Sequence, residues 1–240
     1  MEIIKDIYMV LGSVYANIAN VYCIDAPEGL LLFDTGDSDR DMSQIQANME
    51  AWGLLKKPVT HVFLSHNHYN HIGNAYKFRE KGARIIAGEE DTESIETGNI
   101  RLIIDYPAYP EAEYTPCKVD DKVKDGDVIH ASGIDVTCIH TPGHSDGSMF
   151  YAVELYGKKI LFVGDFLSIK PDCTGAKLGW EGGAGHSRRQ YTRTIMKVRN
   201  IETDCILPGH FQLGLANTNA IMKDMLREAI ETWREPMITE

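Results

Sequence analysis

Apolar residues in this chain gather into short runs bounded by polar, Gly or Pro positions, and between the runs they recur three or four residues apart. The first habit predicts strands and the second predicts helices. NVYCI (Asn20–Ile24) and GLLLFDTG (Gly29–Gly36) form a predicted strand pair joined by DAPEG, where Pro27 and Gly29 supply the turn. Met42, Ile45, Met49 and Trp52 keep helical spacing, and Gly53 is placed to end that helix. THVFLSH (Thr60–His66) predicts a buried strand, and Ile72, Ala75 and Phe78 a short helix stopped by Gly82. VIHASGIDVTCIH, SMFYAVELYGKKILFVGD and DCILPGH add further strands, with hairpin turns at Gly133 and Gly157.

Two helices close the chain. Ser187 and Gln190 form a capping-box pattern ahead of Tyr191, Ile195 and Val198. Ile221, Met222, Met225, Leu226, Ala229, Ile230 and Trp233 predict one unbroken apolar stripe, which Pro236 brings to an end. Residues 98–125, rich in Pro, Tyr and charge, predict a surface excursion. Strand clusters with helices interposed give the fold class α/β (α+β), sheets whose outer faces are covered by helices, with residues 1–240 as one domain.

Composition narrows what such a fold does. With 43% hydrophobic and 25% charged residues in 240, the chain can bury a core without disulfide or metal staples. A metal site would therefore be functional rather than structural. Lys plus Arg is 24 and Asp plus Glu is 35, so 24 − 35 gives −11. The densest basic cluster, SRRQYTR, is short, which argues against a nucleic-acid partner. No apolar run approaches the roughly 20 residues of a membrane span, and Glu2, Lys5 and Asp6 interrupt any signal-peptide core. Five scattered cysteines, an odd number, fit buried reduced thiols in the cytoplasm, with Cys173 alone in a loop. The expected partner is a small-molecule substrate. The Met-rich final helix is free to pack on its own core or on a second copy in a homo-oligomer.

The candidate chemistry lies where the strands end. Five apolar runs finish on His or Asp: LLLFD on Asp34, HVFLSHNH on His66 and His68, VTCIHTPGH on His144, KILFVGD on Asp165 and CILPGH on His210. Residues i and i+2 of an extended segment project to the same side, so His66 and His68 can grip one ion, while His71 faces a neighbouring position. Imidazoles with a carboxylate suit zinc, with iron or manganese as alternatives. The sequence holds no CxxC pair, which excludes a structural zinc ribbon.

SHNHYNHIG, then TPGHSDGS, then VGD, then LPGH, in this order across nearly the whole chain, resembles the metallo-β-lactamase superfamily. The resemblance implies that family's αββα four-layer sandwich. It implies one metal held by His66, His68 and His144, and a second by His71 and His210, with Asp165 bridging both and Asp34 orienting a ligand imidazole. It further implies a metal-dependent hydrolase in which metal-bound hydroxide, oriented by Asp165, attacks the carbonyl of a small ester, lactone or thioester.

Asn70 stands where the family carries an acid. An amide is neutral, a poor zinc ligand and no proton donor, so a full first site and a weak or empty second one are expected. Asn70 marks a natural one-metal subfamily, a substitution that removes charge at constant shape, or a site that still holds two metals through the amide carbonyl. Without an acid at that position, esters, lactones and thioesters are hydrolysed more readily than amides. Tyr69, Trp180 and His186 are candidate substrate contacts, and Arg188 or Arg189 could meet a substrate carboxylate. Two alternatives stay open: a mononuclear iron dioxygenase of the same fold, and a catalytically impaired metal- or ligand-binding protein.

Overall fold

In the computed structural model, which describes residues 1–13, 18–99, 113–183 and 185–234, the apolar runs assemble into two sheets that meet face to face. The first sheet is seven-stranded and keeps chain order: β1 (Glu2–Ile4), β2 (Ile7–Leu11), β3 (Val21–Ala26), β4 (Gly29–Phe33), β5 (Val59–Phe63), β6 (Arg84–Gly88) and β7 (Asp121–Val123). Its pairing is antiparallel from β1 to β4 and parallel from β4 to β7. The second sheet contains β8 (Val128–Ala131), β9 (Ile134–His140), β10 (Met149–Leu155), β11 (Lys158–Gly164) and β14 (Cys205–Pro208), in the order β14-β11-β10-β9-β8. β12 (Leu167–Ile169) and β13 (Ala176–Leu178) form a separate two-stranded ribbon.

Side-chain alternation builds three apolar layers from these strands. Tyr22, Ile24, Leu31, Phe33 and Phe63 face inward against Val136, Cys138, Tyr151 and Phe162 of the other sheet. Their neighbours Val21, Cys23, Leu30, Leu32 and Val62 face outward under α1 (Asp39–Ala51), α2 (Tyr69–Ile72), α3 (Ala75–Glu80) and α4 (Thr92–Thr97). On the far side, α5 (Arg188–Val198) and α6 (Thr218–Thr232) cover Phe150, Leu161, Val163 and Ile206. Helix, sheet, sheet and helix make an αββα four-layer sandwich. All of β4 is buried, as a central strand covered on both faces requires.

Several local expectations hold. α1 begins at Ser38, whose hydroxyl accepts from the Asp41 N–H at 3.2 Å, and ends before Gly53 at φ 69°. Both hairpin turns take positive φ at two successive residues, Ser132–Gly133 and Tyr156–Gly157. Cys23, Cys117, Cys138 and Cys205 are buried, and Cys173 is exposed.

Others need correction. The helix expected through Ile72, Ala75 and Phe78 is broken at Gly73–Asn74. The Asn74 N–H bonds to the Gly36 carbonyl at 3.1 Å, and its side-chain amide bonds to the carbonyls of Thr35 and Ser38. Those long-range partners draw the backbone out of the helical ladder. The capping box is half made: Ser187 Oγ accepts from the Gln190 N–H, but the Ser187 N–H donates to Gly143 instead. In α6, Ile230 points away from the core and is 63% exposed; Pro236 lies outside the described residues. Of the expected surface excursion, residues 100–112 also lie outside them. Cys117 and Val119 are instead buried beneath the first sheet and β7 extends its edge. Among the described residues no helix is long and apolar enough to cross a membrane.

Strand direction positions the site. β4 and β5 run parallel in one sheet, β11 and β14 in the other. β9 is antiparallel to β10, which is antiparallel to β11, so β9 shares the direction of β11. The loops that leave the carboxyl ends of these five strands carry the candidate side chains.

Candidate metal centre

Each strand end is shaped so that its polar residue turns into one space. Asp34 follows β4 at φ 62°, a conformation Asp tolerates. Gly164, at φ 50°, lets β11 pass so close to Ser65 that an added Cβ would lie 2.6 Å from the Ser65 Cβ. Gly209 brings β14 in equally closely: a Cβ there would lie 2.2 Å from Asp165 Oδ1 and 2.8 Å from His71 Cε1. His66 and His68 lie in the loop after β5, and His71 sits in α2 one residue past Asn70.

The ligand atoms of His66, His68 and His144 all lie within 4.8 Å of one another, and so do those of His66, His71 and Asp165. His210 Nε2 is 3.2 Å from Asp165 Oδ2 and 3.2 Å from His71 Nε2. His66, His68, His71, His144, Asp165 and His210 therefore surround one buried space.

Hydrogen bonds on the far side of the rings fix which nitrogen faces that space. Ser65 Oγ donates to Asp34 Oδ2 at 2.8 Å, so its lone pair takes the His66 Nδ1 proton at 2.9 Å. His71 Nδ1 donates to Asp34 Oδ2 at 2.8 Å. His144 Nδ1 donates to the Trp180 carbonyl at 3.1 Å, and His210 Nδ1 to that of Ile18 at 3.1 Å. Four imidazoles thus have Nδ1 engaged and present Nε2 inward. His68 is turned the other way, with Nδ1 3.0 Å from His144 Nε2.

This leaves several lone pairs and a carboxylate crowded together with too few protons. His66 Nε2 is buried with no hydrogen-bond partner, and Asp165 Oδ1 is buried with only His71 Nε2, at 3.2 Å, beside it. Orphaned acceptors facing one another are unfavourable unless a cation lies between them. A divalent ion with nitrogen and oxygen preference fits the donor set.

Ionisation follows the same geometry. Burial and then the neighbouring imidazoles hold His66 and His68 well below the usual histidine range. Burial brings His144 down to about 4. Burial acts on His71 in the same direction, but Asp165 and Asp34 outweigh it and push His71 up to about 10. Asp165 is held well below the carboxylate range: burial opposes this, and the charges of His210 and His71 overcome it. The negative charge that keeps a proton on His71 would equally favour a metal ion in its place.

The remaining candidates sit around this space. Asn70 Nδ2 donates to His210 Nε2 at 3.0 Å, so the amide meets the bare nitrogen a second ion would need. Tyr69, half-buried on α2, points its hydroxyl at the Glu113 carbonyl. Trp180, an exposed residue, contributes through its backbone, bonded to His144, while its ring is 6.2 Å from the His68 ring. His186 is not among the converging groups. It lines a cavity of about 430 Å³ with Asp146, Arg189 and Arg193. Arg188 is engaged elsewhere, with Glu181 at 2.8 Å.

Sequence reasoning missed three contributors. Ser65 links Asp34 to His66. Asp91 bonds to both histidine loops; RIIAGEED is one more apolar run ending on acids, so its signal was present. Gly183 approaches so closely that a Cβ would lie 2.7 Å from His68 Nε2, and nothing in the sequence marks it.

The family model described as the metallo-beta-lactamase superfamily matches residues 14–210. The chain belongs to that superfamily. Its histidine cluster could hold a metal. Solved metallo-beta-lactamases share the fold. A HARLDQ-motif mutant from Cronobacter sakazakii superimposes with a TM-score of 0.69 at 22% identity, covering 96% of this chain and 92% of that one. A subclass B3 enzyme of Bradyrhizobium japonicum gives a TM-score of 0.67 at 21% identity, covering 94% of each chain. Among curated proteins, the chain is similar to an atrochrysone carboxyl ACP thioesterase of Cryptosporiopsis sp. (strain 8999). The two are 25% identical over 146 residues, 61% of this chain and 37% of the relative's length.

Proposed function

We propose that this protein hydrolyses a small ester, lactone or thioester, thioesters best, with zinc held by His66, His68, His144 and Asp165. The observation that carries this is the convergence of inward-facing nitrogens on one carboxylate, with His66 Nε2 left unpartnered and Asp165 Oδ1 met only by His71 Nε2 at 3.2 Å. A bound divalent ion supplies Lewis acidity and lowers the pKa of water from about 15.7 to about 7. Asp165, ionised at every ordinary pH, orients the attacking water by accepting a hydrogen bond from it.

Hydrolysis adds water to the acyl carbon and breaks its bond to oxygen or sulfur. The amide of Asn70 has no proton to give to the departing atom. A thiol has a pKa of about 8.5, so a thiolate departs without that help, whereas an amine does not. The name of the thioesterase relative supports the same preference. The cavity of His186, Arg189 and Arg193 supports a substrate with an anionic group: among the described residues neither arginine has an ion pair, and Gly185 and Ser145 connect this cavity to the His144 loop.

The second position, at His71 and His210, is proposed to bind an ion weakly, because Asn70 supplies no charge there. The test measures metal content by elemental analysis alongside hydrolysis of p-nitrophenyl esters, lactones, acyl thioesters and anilides. One zinc per chain with thioester turnover above ester, and no anilide turnover, is the expected result. Stoichiometric iron with oxygen consumption would replace this proposal by the dioxygenase alternative.

A further inference from the structure

A buried acid ties together the two loops that supply the first-site imidazoles. Asp91 ends the turn after β6 and is 2% exposed. Its Oδ2 accepts from the Asn67 N–H at 3.0 Å and from Ser145 Oγ at 2.6 Å, and its Oδ1 accepts from the Gly147 N–H at 2.8 Å. Asn67 lies between His66 and His68, and Ser145 follows His144. One carboxylate therefore bridges the loop after β5 and the loop after β9, which belong to different sheets.

The surroundings are built around this bridge. Asn67 Nδ2 donates to Ser94 Oγ at 2.9 Å, and Ser94 Oγ donates to the Asp91 carbonyl at 2.8 Å. Ser148 Oγ accepts from the Ser145 N–H at 3.0 Å. A Cβ on Gly147 would lie 2.4 Å from the Asp91 nitrogen, and one on Gly88 would lie 2.1 Å from the Gly147 carbonyl oxygen. Among the described residues Asp91 has no ion pair, so only its hydrogen bonds offset the cost of burying the acid. The structure keeps an unpaired buried carboxylate where both loops need an acceptor at once.

We infer that Asp91 is a positioning residue for the first metal site, fixing the distance between the His66–His68 pair and His144 through Asn67, Ser145 and Gly147. The inference rests on the metal-binding reading of that cluster. Asp91 itself touches none of the six converging side chains. It acts by holding the loop backbones, and so keeps His144 Nε2 at the 3.0 Å it shows from His68 Nδ1.

The test uses cobalt(II) as the probe, in the full-length protein freed of metal, with affinity measured against a competing chelator and the visible absorption bands recorded. Asp91→Asn keeps the shape but turns one acceptor into a donor. It is expected to weaken cobalt binding by about 10- to 100-fold, the range for lost outer-sphere partners, and to shift the bands. Ser145→Ala removes a single bond of the bridge, should give a smaller loss in the same direction, and carries the test if Asp91→Asn does not fold. Val153→Ala, in the core between the sheets, controls for plain destabilisation: its melting temperature should fall with cobalt affinity and spectrum unchanged. Wild-type affinity and bands in both Asp91→Asn and Ser145→Ala overturn the role of Asp91. Failure of the unmutated protein to bind cobalt overturns the metal reading itself, and this inference with it.

Discussion

At residue 70 the proposed weakness of the second position comes down to a single atom type. The Asn70 amide nitrogen lies 3.0 Å from His210 Nε2. Asn70→Asp would put a negative oxygen there, beside His71 and Asp165. Titration with zinc should then show a second ion binding at least about ten times more tightly than in the parent, and an unchanged titration would mean that Asn70 does not face the second position. Gly209 sets the opposite wall. Gly209→Ala would drive a Cβ to 2.2 Å from Asp165 Oδ1, and should abolish tight metal binding. Gly157→Ala, with nothing within 4 Å, should leave binding intact. Asp37 offers a test by pH. Burial, and then the Asp41 side chain, raises it to about 6. The native state thus keeps a proton that the unfolded chain releases from about pH 4 upward, so this group lowers stability as pH rises from about 4 to 6. Asp37→Asn should gain on the parent across that window and hold a constant advantage above it, as read by urea unfolding. A gap that ignores pH would show an ordinary carboxylate. His66, His68, His144, Asp165 and His210 were visible in the sequence because each ends an apolar run. Asp91 also ends an apolar run, RIIAGEED, whereas Ser65 and Gly183 act through a side-chain relay and a close approach that no local pattern encodes.

Elements were legible in proportion to their burial. β4, β5, β9, β10 and β11 sit in sheet interiors and show as apolar runs, whereas β7, at an edge, reads DKV and looks like loop. β1 and β7 are only three residues long, too short for alternation to register. The break between α2 and α3 depends on Asn74 reaching Thr35 and Ser38, which a helical wheel cannot anticipate. What holds the layers is clearer. Phe162 of β11 stacks on Phe33 of β4 at 3.6 Å between centroids and meets Tyr22 edge-on at 5.6 Å. Phe162→Ala should cost about 3–5 kcal/mol in denaturant unfolding, the usual range for emptying a buried aromatic site. A loss under about 1 kcal/mol would mean that the two sheets collapse to fill the space. Because β11 leads directly into Asp165, the same variant should also weaken metal binding, a coupling absent from a change of similar cost in α6.

Over the whole molecule, the candidate centre is a joint between the two sheets. Asp34, His66, His68 and His71 come from the first sheet and its following helix, while His144, Asp165 and His210 come from the second. The order of the motifs along the chain was legible. Their meeting depends on β9, β11 and β14 sharing one direction across long connections, which emerges only in three dimensions. An ion held here engages the folded chain and has no comparable site in the unfolded one, so it must stabilise the fold by RT ln(1 + [L]/Kd), about 2.7 kcal/mol at a free concentration of 100 Kd. For a chain of this size each kcal/mol moves the melting temperature by about 2–4 °C. Chelation should therefore lower Tm by about 5–11 °C, and zinc should restore it with a logarithmic dependence on free metal. His144→Ala should melt at one temperature with or without chelator, since it removes a donor of the first site. A parent protein indifferent to chelation would show that the two sheets close without help from a cation, and that the crowded nitrogens at their rim are balanced by protons alone.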